Sequence, residues 1–266
     1  NRIKKIKAFL TMYMGGFAEN ITEFYKIKKK FNCLFIEDAC HAFGASYSFK
    51  KKLIKVGACK HSDISTFSLH PLKPITTGEG GIITTNNNSI AEKIRRFRSH
   101  GIIRHSKFHW KYNVLNYGFN YRLSDINSAL GISQLKKINF FLKKRKKIYE
   151  YYKTNLNNYK NLIYFPKYNK KNKPSYHLVL ININFKNFRK NKDVFLKYLY
   201  KNNIISQFHY IPIYNFKTFK SKKKKLKNSE EYHASTLSIP IYHSLKNKDQ
   251  NLIINVIKKF FKYSKN

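Results

Sequence analysis

The opening of the chain runs strand, helix, strand in close succession, and no other feature constrains the fold as strongly. Ile6 to Met14 reads as a strand. Ile21 to Phe31 reads as a helix, with Ile21, Phe24, Tyr25 and Ile27 as its apolar positions and Thr22 as a candidate cap. Cys33 to Ile36 is a short, wholly apolar strand that ends on Glu37-Asp38. Strands apolar on both faces are those covered on both sides, as in parallel sheets with helical crossovers. The pattern predicts an α/β fold with a mostly parallel sheet. In such sheets functional groups gather at the carboxyl ends of the strands, and Asp38 sits at such an end.

Further along, Ser65 to Leu69 and Gly81 to Thr85 read as two short strands. The loop between them holds Lys73 and the run Gly78-Glu79-Gly80-Gly81. Ser89 to Ser99 reads as a helix, and His100 to Tyr117 as an irregular stretch rich in aromatics and histidine. Leu123 to Tyr152 carries apolar residues at helical spacing (Ile126, Leu130, Ile132, Leu135, Ile138, Leu142), a length typical of a helix that bridges domains. Beyond Leu162 the pattern changes. Tyr176 to Ile183 alternates as a strand, Asp193 to Lys201 reads as a helix, Ser206 to Ile213 is strand-like, and Asp249 to Tyr263 is a closing helix. The chain is thus expected to hold a large-domain portion over 1–125, a connecting helix over 126–155 and a small α+β domain over 156–266. Lys220 to Lys227 reads as a solvated basic loop.

Composition narrows the partners. A chain of 266 residues can bury a sizeable core, and 42% apolar residues suit a globular protein. The formal charge of +41 invites a nucleic-acid or anionic-membrane reading. Against it, the lysines are spread along the chain and arginine, the better reader of bases and phosphates, is scarce. Asn, Ile, Lys, Phe and Tyr, all encoded by AT-rich codons, are abundant together, so codon drift is the favoured account. No nucleic-acid or membrane partner is expected, although the positive field favours an anionic substrate. Cys33, Cys40 and Cys59 form no CxxC pair and no Cys/His ligand spacing, so no metal site is expected and the sparse count suits a reducing cytoplasm.

A few residues stand in positions that can carry chemistry. Lys73 lies within Pro, Thr and Gly, away from the lysine runs. A lysine amine condenses with an aldehyde to an exchangeable imine, and its pKa falls readily on burial. Asp38, at the end of an apolar strand, either partners a buried cation such as a protonated pyridine nitrogen or caps a helix. His41, three residues on, either stacks on a ligand ring or is an ordinary half-buried histidine. Ser68 either binds a phosphate or bonds its own backbone. The glycines at 78–81 either form an anion nest or permit a turn.

These residues occur in longer runs. Ile-Glu-Asp-Ala-Cys-His-Ala-Phe-Gly-Ala (36–45), Thr-Phe-Ser-Leu-His-Pro-Leu-Lys-Pro-Ile-Thr-Thr-Gly-Glu-Gly-Gly (66–81) and Arg-Ser-His-Gly (98–101) come first. Gly-Phe-Asn-Tyr-Arg-Leu-Ser-Asp-Ile-Asn-Ser-Ala-Leu-Gly-Ile-Ser-Gln-Leu (118–135), His-Tyr-Ile-Pro-Ile-Tyr (209–214) and Ser-Ile-Pro-Ile-Tyr (238–242) follow in order. Together they resemble the DegT/DnrJ/StrS sugar aminotransferases of fold type I, and the run around Lys73 is similar to the pseudaminic acid branch. The resemblance implies pyridoxal 5'-phosphate as cofactor, an incomplete large domain and a small C-terminal domain. It makes Lys73 the Schiff-base lysine, Asp38 the pyridinium partner, His41 the residue packed on the ring and Ser68 a phosphate ligand. Asn120 corresponds to an asparagine that reaches the phosphate of a neighbouring subunit, which implies a homodimer. His209 and Tyr210 match a segment near the substrate pocket. The implied reaction moves an amino group from glutamate to the 4-keto carbon of a UDP-linked deoxy sugar, in the cytoplasm. A related branch with histidine in place of the lysine dehydrates instead, so Lys73 favours transamination. The resemblance also implies a further N-terminal portion with a Gly-Thr/Ser phosphate loop, a ring-stacking aromatic and additional strands. A non-catalytic remnant or regulatory homologue is the competing expectation.

Overall fold

β1 (Ala8–Met12) and β2 (Leu34–Asp38) lie side by side in parallel, with Ala8 opposite Leu34 and Met12 opposite Asp38. The computed structural model that shows this describes residues 6–108, 110–187, 191–219 and 226–262. The helix α1 (Ile21–Phe31) joins the two strands, as the spacing predicts. Its cap is not Thr22 but Asn20, in a left-handed conformation (φ 57°) with no side-chain cap bond. The helix keeps its expected bounds, and Ile21, 2% exposed, enters the core as its first residue. Asn32 closes it, again left-handed at φ 45°, a conformation that asparagine tolerates.

A hairpin of β3 (Ser46–Phe49) and β4 (Lys52–Lys55) precedes β5 (Ile64–Ser68), which pairs with β2 in parallel. β6 (Gly81–Thr84) then pairs antiparallel with β5, giving a four-stranded sheet in the order β1-β2-β5-β6. The sheet is mostly parallel, as the apolar runs imply. Phe35 is fully buried, with Phe9 stacked on it at 4.8 Å and Phe24 tilted against it at 5.8 Å. Asp63 ties this layer down. One carboxylate oxygen accepts the Phe35 N–H at 2.8 Å, and the other meets the Lys28 ammonium at 2.7 Å.

α2 (Asn88–Arg98) starts on Asn87, whose side chain accepts the Ile90 N–H. The stretch expected to be irregular after it contains a short antiparallel hairpin, β7 (Ile102–Arg104) and β8 (Tyr112–Val114). Strands of three residues show too few alternations to be read from sequence. Gly101 (φ 71°) closes against Asn116, and a Cβ there would run into the Asn116 carbonyl. The long helical pattern is two helices rather than one, α3 (Asp125–Lys136) and α4 (Ile138–Leu156). The break falls at Lys137, whose N–H bonds the Gln134 carbonyl three residues back, a tightened last turn.

The chain divides into two compact units, Asn1–Asn139 with Asn169–Ser175, and Phe140–Tyr168 with Tyr176–Asn266. The second unit holds an antiparallel sheet in the order β11-β10-β9, made of β9 (Ile163–Tyr164), β10 (Val179–Ile183) and β11 (Thr236–Ile239). Its helices include α5 (Lys192–Lys201), α6 (Lys227–Ser235) and α7 (Asn247–Lys262). Phe195, Leu199, Ile257 and Phe261 are fully buried among them. Buried Arg145 spends one guanidinium nitrogen on the carbonyls of Tyr176, His177 and Ile241, at 3.2 to 3.5 Å. Burial lowers its pKa to about 10. The strand-like segment 206–213 proves to be a single bridge, Gln207 to Ser238. Pro212 has no N–H to extend a ladder, and the chain turns at Ile213–Asn215. The basic loop at 220–225 lies outside the described residues. Among the described residues no helix is long and apolar enough to cross a membrane.

Candidate active site

The carboxyl ends of β2 and β5 point the same way, because the two strands are parallel and Asp38 lies opposite Thr66. Asp38 is the last residue of β2 and is half-buried. Its Oδ1 accepts the N–H of Cys40 at 3.0 Å, which turns the chain sharply after the strand. The Ala39 N–H reaches across to the Thr66 carbonyl at 2.9 Å, so the turn after β2 is fastened to β5. Asp38 is therefore no helix cap.

Lys73 comes from the loop after β5. His70, Pro71, Leu72 and Lys73 form a turn closed by the Lys73 N–H on the His70 carbonyl at 2.9 Å, with proline in the position that presets it. Thr77 N–H and Thr76 Oγ1 both donate to the Leu69 carbonyl, and Leu69 N–H donates to Gly80. The loop is thus knotted to itself by its threonines. The Gly78 N–H is taken by Thr76 Oγ1, which fits a turn (φ 81°) better than an anion nest. A Cβ on Gly80 would crowd Thr77 and Leu123, so close packing requires the glycine.

The two strand ends bring Lys73, Asp38 and Cys40 within electrostatic reach of one another. Burial holds the Lys73 amine below the usual lysine range, opposed by Cys40 and Asp38. The Cys40 thiol is pushed up to about 11, first by burial, then by its hydrogen bond to Asp38 and the charge there. At neutral pH that thiol keeps its proton, so the charge that answers Lys73 is the Asp38 carboxylate. An amine inclined to lose its proton beside a carboxylate is the arrangement a carbonyl condensation needs.

His41 is 3% exposed, and its Nδ1 accepts the Gly15 N–H at 3.4 Å. That bond turns the Nδ1 edge of the ring toward the turn after β1. Ser68, half-buried at the end of β5, accepts the His70 N–H at 3.3 Å and retains its own proton to donate. Asn120 is exposed and bridges to Ser99 through the backbone, and none of the contacts described around Lys73 involves it. His209 and Tyr210 belong to the second unit, where His209 Nε2 lies 2.9 Å from Ser238 Oγ. Lys73, Asp38 and His41 thus share one end of the first unit's sheet, with Ser68 at the strand end beside them.

Sequence reasoning missed Cys40 and the buried polar layer beneath the site. Glu37, 2% exposed, accepts from Tyr13 OH at 2.7 Å and from Ser65 Oγ. Burial and then the Glu37 charge raise the Tyr13 phenol, which keeps its proton for that bond. Tyr47 OH lies 2.6 Å from His61 Nδ1, and the His61 pKa is lowered by burial, then by Lys60. The Asp-x-Cys spacing was a legible signal for the turn at Cys40, whereas nothing local to Glu37 marks Tyr13 and Ser65 as its partners.

The geometry can be set beside known proteins. The profile of the DegT/DnrJ/EryC1/StrS aminotransferase family matches residues 3–258. The chain is 36% identical over 252 residues to the UDP-4-amino-4,6-dideoxy-N-acetyl-beta-L-altrosamine transaminase of Campylobacter jejuni, covering 93% of this chain and 64% of that one. It is 34% identical over 262 residues to the transaminase of the same name from Helicobacter pylori, covering 97% and 67%. Among solved structures it resembles Helicobacter pylori PseC, described as an aminotransferase involved in the biosynthesis of pseudoaminic acid. The TM-score is 0.85 at 31% identity, over 96% of this chain and 67% of that one. The chain spans about two thirds of the length of these relatives. With a lysine and a carboxylate facing each other at the strand ends of a mostly parallel sheet, and a family profile matching almost end to end, the chain belongs to the DegT/DnrJ/EryC1/StrS aminotransferase family.

Proposed function

We propose that the chain is the Lys73-bearing part of a nucleotide-sugar aminotransferase that uses pyridoxal 5'-phosphate. The observation that carries this reading is the Lys73 amine, held below its usual range by burial and answered by Asp38. The substrate is read as the 4-keto carbon of a UDP-linked deoxy sugar, with glutamate as amino donor, in pseudaminic acid or related surface-glycan biosynthesis. Support comes from the names of the relatives at 34% and 36% identity. The working protein is read as a cytoplasmic homodimer, with residues 1–125 as the cofactor-holding portion, 126–155 as the link and 156–266 as the small domain.

The residues present fit the cofactor by the chemistry of their donors. When bound, pyridoxal phosphate supplies an aldehyde carbon for an amine and a ring that draws electrons from the substrate carbon. Lys73 would provide the amine that condenses with that aldehyde, and its Nζ would serve as the base at the substrate carbon. Asp38 holds the partner charge of a protonated ring nitrogen, and its orientation is set by the Cys40 N–H. His41 would offer a ring face whose Nδ1 edge meets the Gly15 N–H. Ser68 has a hydroxyl proton to give to a phosphate oxygen, and exposed Asn120 faces outward to serve the site of a second copy. His209 and Tyr210 are assigned to the substrate.

The test is Lys73→Ala in the full-length protein. Borohydride reduction after cofactor loading should label Lys73 in the parent protein, and turnover with glutamate should vanish in the variant. Turnover at the parent rate, or label on another lysine, would sink the assignment.

A further inference from the structure

We propose that Ser175 is a positioning residue for His41, and that the segment Asn169–Ser175 fastens the wall that His41 forms. The proposal rests on the reading of His41 as part of the cofactor site.

The segment belongs to the first unit although the chain on both sides of it belongs to the second. It is sewn in place by side chains and backbone alike. Asn172 donates to the Ala18 carbonyl at 3.1 Å and to Glu19 at 2.7 Å, and accepts the Ser48 N–H at 2.8 Å. Lys173 and Ser46 exchange both backbone bonds at 2.8 Å. The segment ends on Ser175, which is fully buried. Its N–H donates to the Gly16 carbonyl at 3.1 Å, and its hydroxyl donates to the His41 carbonyl at 2.6 Å.

One small residue therefore ties together two turns far apart in sequence. The first follows β1 and contains Gly15 and Gly16. The second follows β2 and contains His41. The Gly15 N–H reaches His41 Nδ1 only while these turns stay apposed, and at 3.4 Å that bond has little slack to lose. Ser175 thus acts on the ring indirectly. By holding both turns it keeps Nδ1 an acceptor and the proton on Nε2. Threonine would add a methyl group where no space is exposed, and alanine would leave the His41 carbonyl without this donor.

The experiment uses the full chain labelled with nitrogen-15 histidine, with His41 assigned by its disappearance in His41→Gln. In the parent the His41 signal should be that of the Nε2–H form. Ser175→Ala should give a mixture with the Nδ1–H form. Affinity for pyridoxal phosphate should fall about tenfold, the factor expected for one lost buried hydrogen bond. Ser175→Cys, which keeps a weaker donor, should fall between the two and serves if the alanine variant does not fold. Asn172→Ala removes the segment's bonds to Ala18, Glu19 and Ser48 but leaves both Ser175 bonds in place, so it should shift the His41 signal less than Ser175→Ala does. A parent-like tautomer in both Ser175 variants, or an Asn172→Ala spectrum matching Ser175→Ala, overturns the proposal. If the parent fails to bind the cofactor, the functional reading fails, while the tautomer result still decides the role of Ser175.

Discussion

The two units bury their apolar residues differently. In the second, β11 is buried along its whole length and α7 buries Ile253, Ile254, Ile257, Phe260 and Phe261 along one side. In the first, the core beneath β1, β2 and β5 is closed, yet α2 and α3 bury no residue fully. Ile83 is 50% exposed, Ile126 82% and Tyr117 98%. Between α2, β6 and β8 lies an open groove of about 870 Å³, lined largely by apolar side chains that include Ile94, Phe97 and Leu115. The second unit packs β11 and one side of α7 into its core, while Tyr200, Ile205 and Ile213 stay exposed. The first buries polar groups such as Glu37, His41, Ser65 and Thr77 and leaves Ile83, Phe97 and Ile126 exposed. The site sits in the unit whose helices α2 and α3 bury no residue fully.

Substitutions can break or sharpen this contrast. The largest expected effect is Phe261→Ala in the second unit, where the ring is fully buried against Phe195 and Phe260. It should cost about 3–5 kcal/mol, read as a drop in the denaturant midpoint. A cost near zero would mean that the second unit is not closed as described.

A smaller effect probes the first unit's site. Asp38→Asn removes a charge that favours the Lys73 ammonium, so the amine should lose its proton at still lower pH. The sign follows from the burial. A folded pKa below the unfolded lysine value means that the unfolded chain binds more protons between the two values, so stability rises with pH across that window. Amine labelling of Lys73 in the variant should be faster at neutral pH than in the parent. Labelling no faster than in the parent would show that Asp38 does not hold the Lys73 proton.

The smallest expected effect is Ile126→Ala. An 82% exposed side chain should change stability by no more than about 0.5 kcal/mol. A cost comparable to that of Phe261→Ala would show that this face is covered in solution, and the contrast between the units would then vanish.

Much of the site was legible in advance, for reasons that these regions make plain. Asp38, Ser68 and Lys73 lie at the ends of apolar runs or inside a Pro- and Gly-rich loop, and both features are local. The parallel pairing of β1 and β2 follows from the helix between two apolar runs, whereas β5 reaches β2 after a hairpin that carries no helical period. The hairpin of β7 and β8 was missed because three-residue strands have no measurable period. The break at Lys137 was missed because apolar spacing continues through it.

The amino-acid sequence by itself determined the order of the elements, the parallel sheet and the placement of a carboxylate and a lysine at strand ends. Those properties depend on residues within a turn or two of one another. Only the tertiary structure decided what surrounds them: Tyr13 and Ser65 on buried Glu37, Cys40 beside Lys73, and Ser175 on the carbonyl of His41, 134 positions away. A hydrogen bond between distant residues leaves no periodicity in the chain. It forms only because folding removes both groups from water and leaves them each other as partners.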